Sequence, residues 1–336
     1  LSANWIYTNL IYRQLLYIAL SLVLFSCQTK TQTPADVRCP FSADSAYTYI
    51  AQQVAFGPRV PGSPQHDACG NWLVRKLASF GAQVHNQYGT MTNYAGQPQP
   101  IRNIVAYFQG TTTHTILLCA HWDSRPWSDE EEHYDQRFVP VLGANDGASG
   151  VGVILEILRQ LSILKKQNQP IPSLQIVFFD AEDMGTPNHY TGLQREHTWC
   201  LGSQYWAKQF IAQKPQYTIQ YGILLDMVAD PSATFPREYF SAMYAGNFVE
   251  QVWRNAAKLG YSRYFTNQST FYPITDDHYY VTTIAGIPCL DIIDYKNNTA
   301  TGFAEWWHTQ QDDMRNINHQ TLQAVGETVI TTICSK

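Results

Sequence analysis

Acids and histidines follow apolar runs at several points of the chain. "TILLCAH" ends in His121 with Asp123 two residues on, "LQIVFFD" runs into Asp180, Glu182 and Asp183, and "YGILLDM" carries Asp226. Asp146, in "GANDGASG", stands just ahead of a helical pattern, and His308, in "EWWHTQQDD", falls in a loop-like stretch. Taken singly, a strand-end Asp is more often a helix cap than a ligand. Taken together, such carboxylates repel one another and cost several kcal/mol unless a cation or shared protons offset them. Mixed His and Asp/Glu donors without thiolates suit zinc, and no CxxC pair offers a cysteine site instead.

Adjacent acids make chemical sense in that setting. A zinc centre that moves protons needs one carboxylate as ligand and a second beside the metal that is not consumed by it. Neighbouring residues at a strand end point in different directions, so Asp183 can face a metal while Glu182 faces a substrate. Asp180 is expected to close the strand structurally.

These residues must be carried by elements that bring strand ends together. "SADSAYTYIAQQVAFG" and "HDACGNWLVRKLASFG" read as two helices ending in glycine caps, joined by the Pro- and Gly-rich "GPRVPGSP". Short apolar runs then alternate with helical patterns: "NIVAYF", "TILLCAH", a helix through "VGVILEILRQL", "LQIVFFD", helices near "SQYWAKQFIAQ" and "NFVEQVWRNAAKLG" flanking "YGILLDM", then "IPCLDII" and a last helix "HQTLQAVGETVITTI". Unbroken apolar strands between helices predict an α/β fold, a single domain with a twisted, mostly parallel mixed sheet covered by helices on both faces. Ligands of such sheets bind at the carboxyl ends of the strands, where these acids lie. "GASGVG" lacks the GxGxxG spacing and a Walker lysine, so no nucleotide site is expected. The aperiodic segments 122–145 and 184–200 read as loops at the working end, and "SDEEEHYD" (128–135) as a solvated acidic loop.

The composition is that of an ordinary globular protein: 336 residues, 45% apolar, 15% charged, with net charge −5 and no basic run. Nucleic acid is therefore excluded as a partner. "RQLLYIALSLVLFSC" sets Arg13 before an apolar stretch too short for a membrane span, the pattern of a secretory signal. The expected organisation is a signal segment at 1–27, a tether at 28–40 and a catalytic domain at 41–336. Ending in "LFSC", the segment resembles a bacterial lipoprotein signal, which implies a lipid on Cys27 as the only membrane contact and a place in the cell envelope or periplasm. The six later cysteines leave their pairing open, and a monomer is expected.

The motifs "GPRVPGS", "AHWDS", "GANDGASG", "FFDAED", "LLDM", "ITDDH" and "EWWHT", in this order from about residue 57 onward, resemble glutaminyl-peptide cyclotransferase, the animal-type zinc glutaminyl cyclase also found in bacteria. The wider clan is that of the zinc aminopeptidases. The resemblance implies one zinc per chain held by Asp146, Asp183 and His308, and Glu182 as general base and acid. It also implies Asp226 and Asp276 around the proton path, and Trp307 and Phe303 as pocket walls. The implied substrates are peptides and proteins with N-terminal glutamine, cyclised to pyroglutamate with release of ammonia. Animal members carry two successive glutamates where this chain has Glu182-Asp183, so a metal would sit slightly nearer the backbone.

Two rivals stand beside this reading. An aminopeptidase of the same clan would bind two zincs, with His121 and Asp226, near Asp123, completing the second site; metal content separates the two. A surface lipoprotein that only binds a partner would keep the fold without needing the base and every ligand together.

Overall fold

A computed structural model describes residues 39–335 apart from 214 and 216. Residues 1–37 and 38–336 separate into two units, and the description concerns the second. The expected signal segment, Cys27 and nearly all of the tether lie outside the described residues. No helix among the described residues is long and apolar enough to cross a membrane.

The two opening helices are α1 (Ala43–Val54) and α2 (Pro64–Ser79). Ser42 and Ser63 accept from the backbone N–H groups of Ser45 and His66 and so cap their first turns, and Pro64 occupies the position where a missing N–H costs nothing. Gly57 and Gly81, at φ of 93° and 92°, turn the chain out of each helix in the left-handed conformation that suits glycine.

A hairpin of β1 (Gln83–Thr92) and β2 (Pro98–Phe108) follows, then β3 (Thr115–His121), α3 (Ala148–Lys166), β4 (Ser173–Phe179), α4 (Leu201–Gln213) and β5 (Ile219–Asp226). The chain ends with β6 (Phe235–Arg237), α5 (Tyr239–Lys258), β7 (Phe265–Ser269), α6 (Asp277–Thr283), β8 (Cys289–Ile293) and α7 (His319–Cys334). Six strands form one sheet in the order β1-β2-β4-β3-β5-β8, parallel from β4 to β8 and antiparallel at β1–β2 and β2–β4; β6 and β7 pair separately. The sheet is mixed and mostly parallel, as the apolar runs predicted.

Burial explains why those runs are unbroken. Every residue of β3, β4 and β8 is buried. Alternate side chains divide between the two faces. Leu118, Ala120, Ile176, Phe178, Ile223 and Leu225 join the layer built with α1, α2, α3, α5 and α7, whereas Leu117, Cys119, Val177, Phe179 and Leu224 face α4 and α6. A fully buried Leu, Ile or Phe stabilises the fold by about 1.5–3 kcal/mol, so a polar side chain on either face would be costly. Strand β1 escaped the sequence reading because it is a half-exposed edge strand with little apolar content.

The glycines of "GASGVG" serve packing. A Cβ on Gly150 would lie 2.0 Å from the Leu225 carbonyl oxygen and 3.0 Å from the Ala120 Cβ, so α3 rests directly on β3 and β5. A Cβ on Gly147 would strike the His121 ring.

Candidate active site

The carboxyl ends of β5 and β8 and the loops beyond β3, β4, β5 and β8 line a cavity of about 350 Å³. Asp146, Glu182, Asp183, Asp226, Asp276 and His308 all line it, as do Phe303 and Trp307. Residues far apart in sequence meet here because each follows a strand or precedes a helix of one parallel layer.

Asp146, Asp183 and His308 bring one donor atom each within 4.8 Å of one another. The His308 Nε2 lies 3.2 Å from Asp183 Oδ1 and 3.5 Å from Asp146 Oδ2. Zinc bonds of about 2.0–2.2 Å in a tetrahedron place ligand atoms about 3.3 Å apart, so this trio fits a zinc ion. The other ring nitrogen of His308 lies 3.6 Å from Asp129 Oδ1, and Arg125 holds Asp129 through bonds of 2.7 and 2.6 Å. A carboxylate behind a ligating histidine is the usual means of fixing its ring. Arg125 also reaches Asp183 Oδ1 at 3.3 Å, and Trp307 and Trp199 stack near the His308 ring, with centroids 3.5 and 6.2 Å away.

His121 belongs to a second trio with Asp146 and Asp226, so Asp146 is common to both. Its Nε2 sits 2.8 Å from Asp146 Oδ1 and 3.2 Å from Asp226 Oδ1. The first of these is a hydrogen-bond length, shorter than the edge of a zinc tetrahedron. Asp123 takes a different part: its two oxygens accept from the backbone N–H groups of Glu182 and Asp183, each at 3.2 Å, and it lies 3.5 Å from His121 Nδ1. Asp312, on the far side, accepts from the N–H groups of Asn145 and Asp146 at 2.7 and 3.1 Å.

Glu182 stands beside the donor trio and borders the cavity. Burial, with Asp276 and Asp183 close by, pushes its carboxyl well above the ordinary range. Burial likewise raises Asp226 to about 7, despite its bond to His121, and raises Asp276. Asp276 caps α6, and its Oδ2 is buried with no hydrogen-bond partner. Behind it, Asp277 and Asp291 are buried and pushed well above the carboxylate range by desolvation. Carboxyl groups raised together in one cleft mark it as a candidate site for proton transfer.

Asp180 does not reach the cavity. It accepts from His66 Nε2 at 2.8 Å and from the N–H groups of Arg102 and Ala181 at 2.7 and 2.9 Å, locking the end of β4. The acidic loop 128–135 is only partly the solvated segment expected from its charge: Ser128 and Asp129 are buried, Asp129 by its pairing with Arg125. Sequence reasoning missed Arg125, Asp129, Trp199, Cys200 and Asp312, which come from aperiodic segments. The pairing of Arg125 with Asp129 four residues on was the one local signal available. The six cysteines from Cys39 onward are free thiols.

The family model for peptidase family M28 matches residues 103–333. The chain belongs to peptidase family M28. This M28 chain is similar to Tannerella forsythia glutaminyl cyclase, at 47% identity and a TM-score of 0.83 over 88% of this chain and 99% of that one. It is similar to Bacteroides thetaiotaomicron glutaminyl cyclase bound to N-acetylhistamine, at 44% identity and a TM-score of 0.82 over 88% and 98% of the two chains. A Zn-dependent exopeptidase from Parabacteroides distasonis is as near, at 47% and 0.83 over 89% and 100%.

Proposed function

We propose that this protein is a glutaminyl-peptide cyclotransferase, which converts N-terminal glutamine to pyroglutamate and releases ammonia. The observation that carries the reading is the floor of the cavity: Glu182 lies beside the Asp146–Asp183–His308 trio without belonging to it, under walls that include Trp199, Phe303 and Trp307. A base kept apart from the ligands is what the reaction needs, and similarity to glutaminyl cyclases supports the same activity.

The α-amine of the substrate attacks the γ-carbonyl carbon of its own side chain, forming the ring C–N bond. Glu182 accepts the proton shed by that amine and delivers it to the departing amide nitrogen, which leaves as ammonia when its C–N bond breaks. Asp276, close to Glu182, disfavours a lasting negative charge there, and Asp226, held by His121, borders the same path. Nucleophile and electrophile belong to one substrate residue, which the aromatic walls would orient, so positioning supplies much of the acceleration. One zinc, held by Asp146, Asp183 and His308, supplies Lewis-acid polarisation of the carbonyl when bound.

The second reading, a two-zinc aminopeptidase, draws on Asp146 being common to two donor trios. The hydrogen bond of His121 Nε2 to Asp226 at 3.2 Å, with its 2.8 Å approach to Asp146 closer than the edge of a zinc tetrahedron, favours one zinc. The deciding experiment incubates the protein with a Gln-Xaa peptide and follows ammonia and peptide mass. Ammonia stoichiometric with a product lighter by one ammonia, abolished by a chelator and restored by zinc, is expected; free glutamine and a shortened peptide would overturn the reading. Residues 1–27 are read as an export signal with a lipid on Cys27, which mass spectrometry of the mature N-terminus tests. Glutamine becomes N-terminal only after processing, a step that export provides.

A further inference from the structure

We propose that Cys200 is a positioning residue for Glu182: its thiol donates to one carboxylate oxygen and so turns the other toward the cavity. The inference rests on Glu182 being the acid and base of the proposed reaction.

Cys200 is fully buried at the mouth of α4, and it grips Glu182 twice. Its N–H donates to the Glu182 carbonyl oxygen at 2.9 Å, and its Sγ lies 3.1 Å from Glu182 Oε1. The next N–H, of Leu201, donates to the Ala181 carbonyl at 3.1 Å, so the entry to α4 is pinned along the backbone that carries the base. Glu182, Cys200 and Asp276 bring one atom each within 4.8 Å of one another. Among the described residues, the thiol is the one side chain that donates to this carboxylate.

Two further observations argue that the thiol is used. Cys200 sits at φ 56°, the left-handed region where glycine is the default and a β-carbon costs about 1–3 kcal/mol. A chain that keeps a side chain there retains it against that cost. Burial and the nearby Glu182 charge push the thiol well above its ordinary range, so it remains S–H and can donate. The choice of donor is also chemically apt. A guanidinium or ammonium in its place would hold the carboxylate as an anion by charge, whereas a neutral thiol orients the group without adding charge.

The test uses the zinc-loaded full chain and a Gln-Xaa peptide. Cys200→Ala keeps the β-carbon and removes the donor; kcat is expected to fall about tenfold, with KM within about twofold and zinc content unchanged. Cys200→Ser keeps a donor and is expected to recover kcat to within about threefold of the parent. A merely structural cysteine would lower the unfolding midpoint and leave kcat alone, or would make serine as poor as alanine; either result overturns the proposal. Should Cys200→Ala fail to fold, the infrared S–H band isolated by subtracting the Cys200→Ser spectrum decides. The band is expected to move when Glu182→Gln is introduced, and a band that does not move overturns the proposal. Full activity of Glu182→Gln would instead refute the role of Glu182 itself, whereas an inactive Glu182→Gln beside a fully active Cys200→Ala refutes only the part given to the thiol.

Discussion

Asp123 offers the sharpest test of how the site is held. Its carboxylate is buried, and its oxygens accept from the N–H groups of Glu182 and Asp183, both at 3.2 Å. Hydrogen bonds to a charged group contribute about 1.5–3 kcal/mol each, so Asp123→Ala, which leaves two donors unpaired, is expected to cost about 3–6 kcal/mol. That is a large part of the 5–15 kcal/mol that holds a typical domain together. Asp123→Asn keeps one carbonyl acceptor but presents an amide N–H₂ to the second donor, so about half of that loss is expected. Urea unfolding measures the effect: the midpoint should fall in the order parent, Asn, Ala, with the slope unchanged. Because the same amides fix Asp183, chelator competition should show zinc bound about 10–100-fold more weakly. An alanine variant within about 0.5 kcal/mol of the parent, binding zinc equally well, would refute the clamp.

Glu182→Gln is expected to keep its zinc and lose about 10²–10⁴ in kcat with KM little changed; undiminished turnover would remove the base. Trp307→Ala removes a ring stacked 3.5 Å from His308 and 4.7 Å from Phe303, and KM for Gln peptides should rise about tenfold or more, a rise that calorimetric binding of a product analogue would confirm. Metal analysis of the purified protein should give one zinc per chain, and two would favour hydrolysis. Glu238 governs acid stability: burial pushes its carboxyl up, but bonds from His278 and from the Ser241 and Phe240 N–H groups pull it down to about 2, below the ordinary 4.5. A depressed carboxyl stabilises the fold above its unfolded pKa, here by about 3 kcal/mol, and loses that contribution as pH falls from about 4.5 through 2. Glu238→Gln should therefore be less stable at neutral pH and decline less steeply over that window, and parallel declines would refute the linkage.

What the sequence disclosed follows from what periodicity can carry. The four parallel strands are buried on both faces, so their apolar runs are continuous and visible, and the acids that end them mark the rim of the sheet. Strand β1, half-exposed, leaves no such mark, and α6, with seven residues, is too short for a helical period. Within the site, Glu182, Asp183 and Asp226 were legible from their place after an apolar run. Asp312 and Cys200 were not, because each acts on a residue more than a dozen positions away through loop geometry. Arg59 is a similar case: fully buried, it donates to the carbonyls of Trp122, Leu142 and Gly143 and ties its own turn to both ends of the 122–145 segment, yet in sequence it is one cation in a Pro- and Gly-rich turn.

The same contrast explains how a site so crowded with like charges stays in place. The side chains proposed as ligands and base are free to face the cavity because other carboxylates, set behind them, capture backbone amides of the segments that carry them. Asp123 holds residues 182 and 183, Asp312 holds 145 and 146, and Glu238 holds the start of α5 together with the N–H of Ile274, two residues before Asp276. Between these anchors the chain takes left-handed turns at Ala181, Cys200, Met227 and His308, none of them glycine, each costing about 1–3 kcal/mol. Strain of that size persists only where the surroundings over-determine the backbone: Asp123 holds the amides that follow Ala181, and Ser149 Oγ and Asn145 Oδ1 accept from the N–H groups of Val228 and Ala229 beside Met227. The rigidity of this centre therefore rests on side-chain oxygens, carboxylates foremost, that accept backbone amides one layer behind the chemistry. Substitutions there are expected to disturb metal affinity and kcat together, while substitutions in the aromatic wall act first on KM.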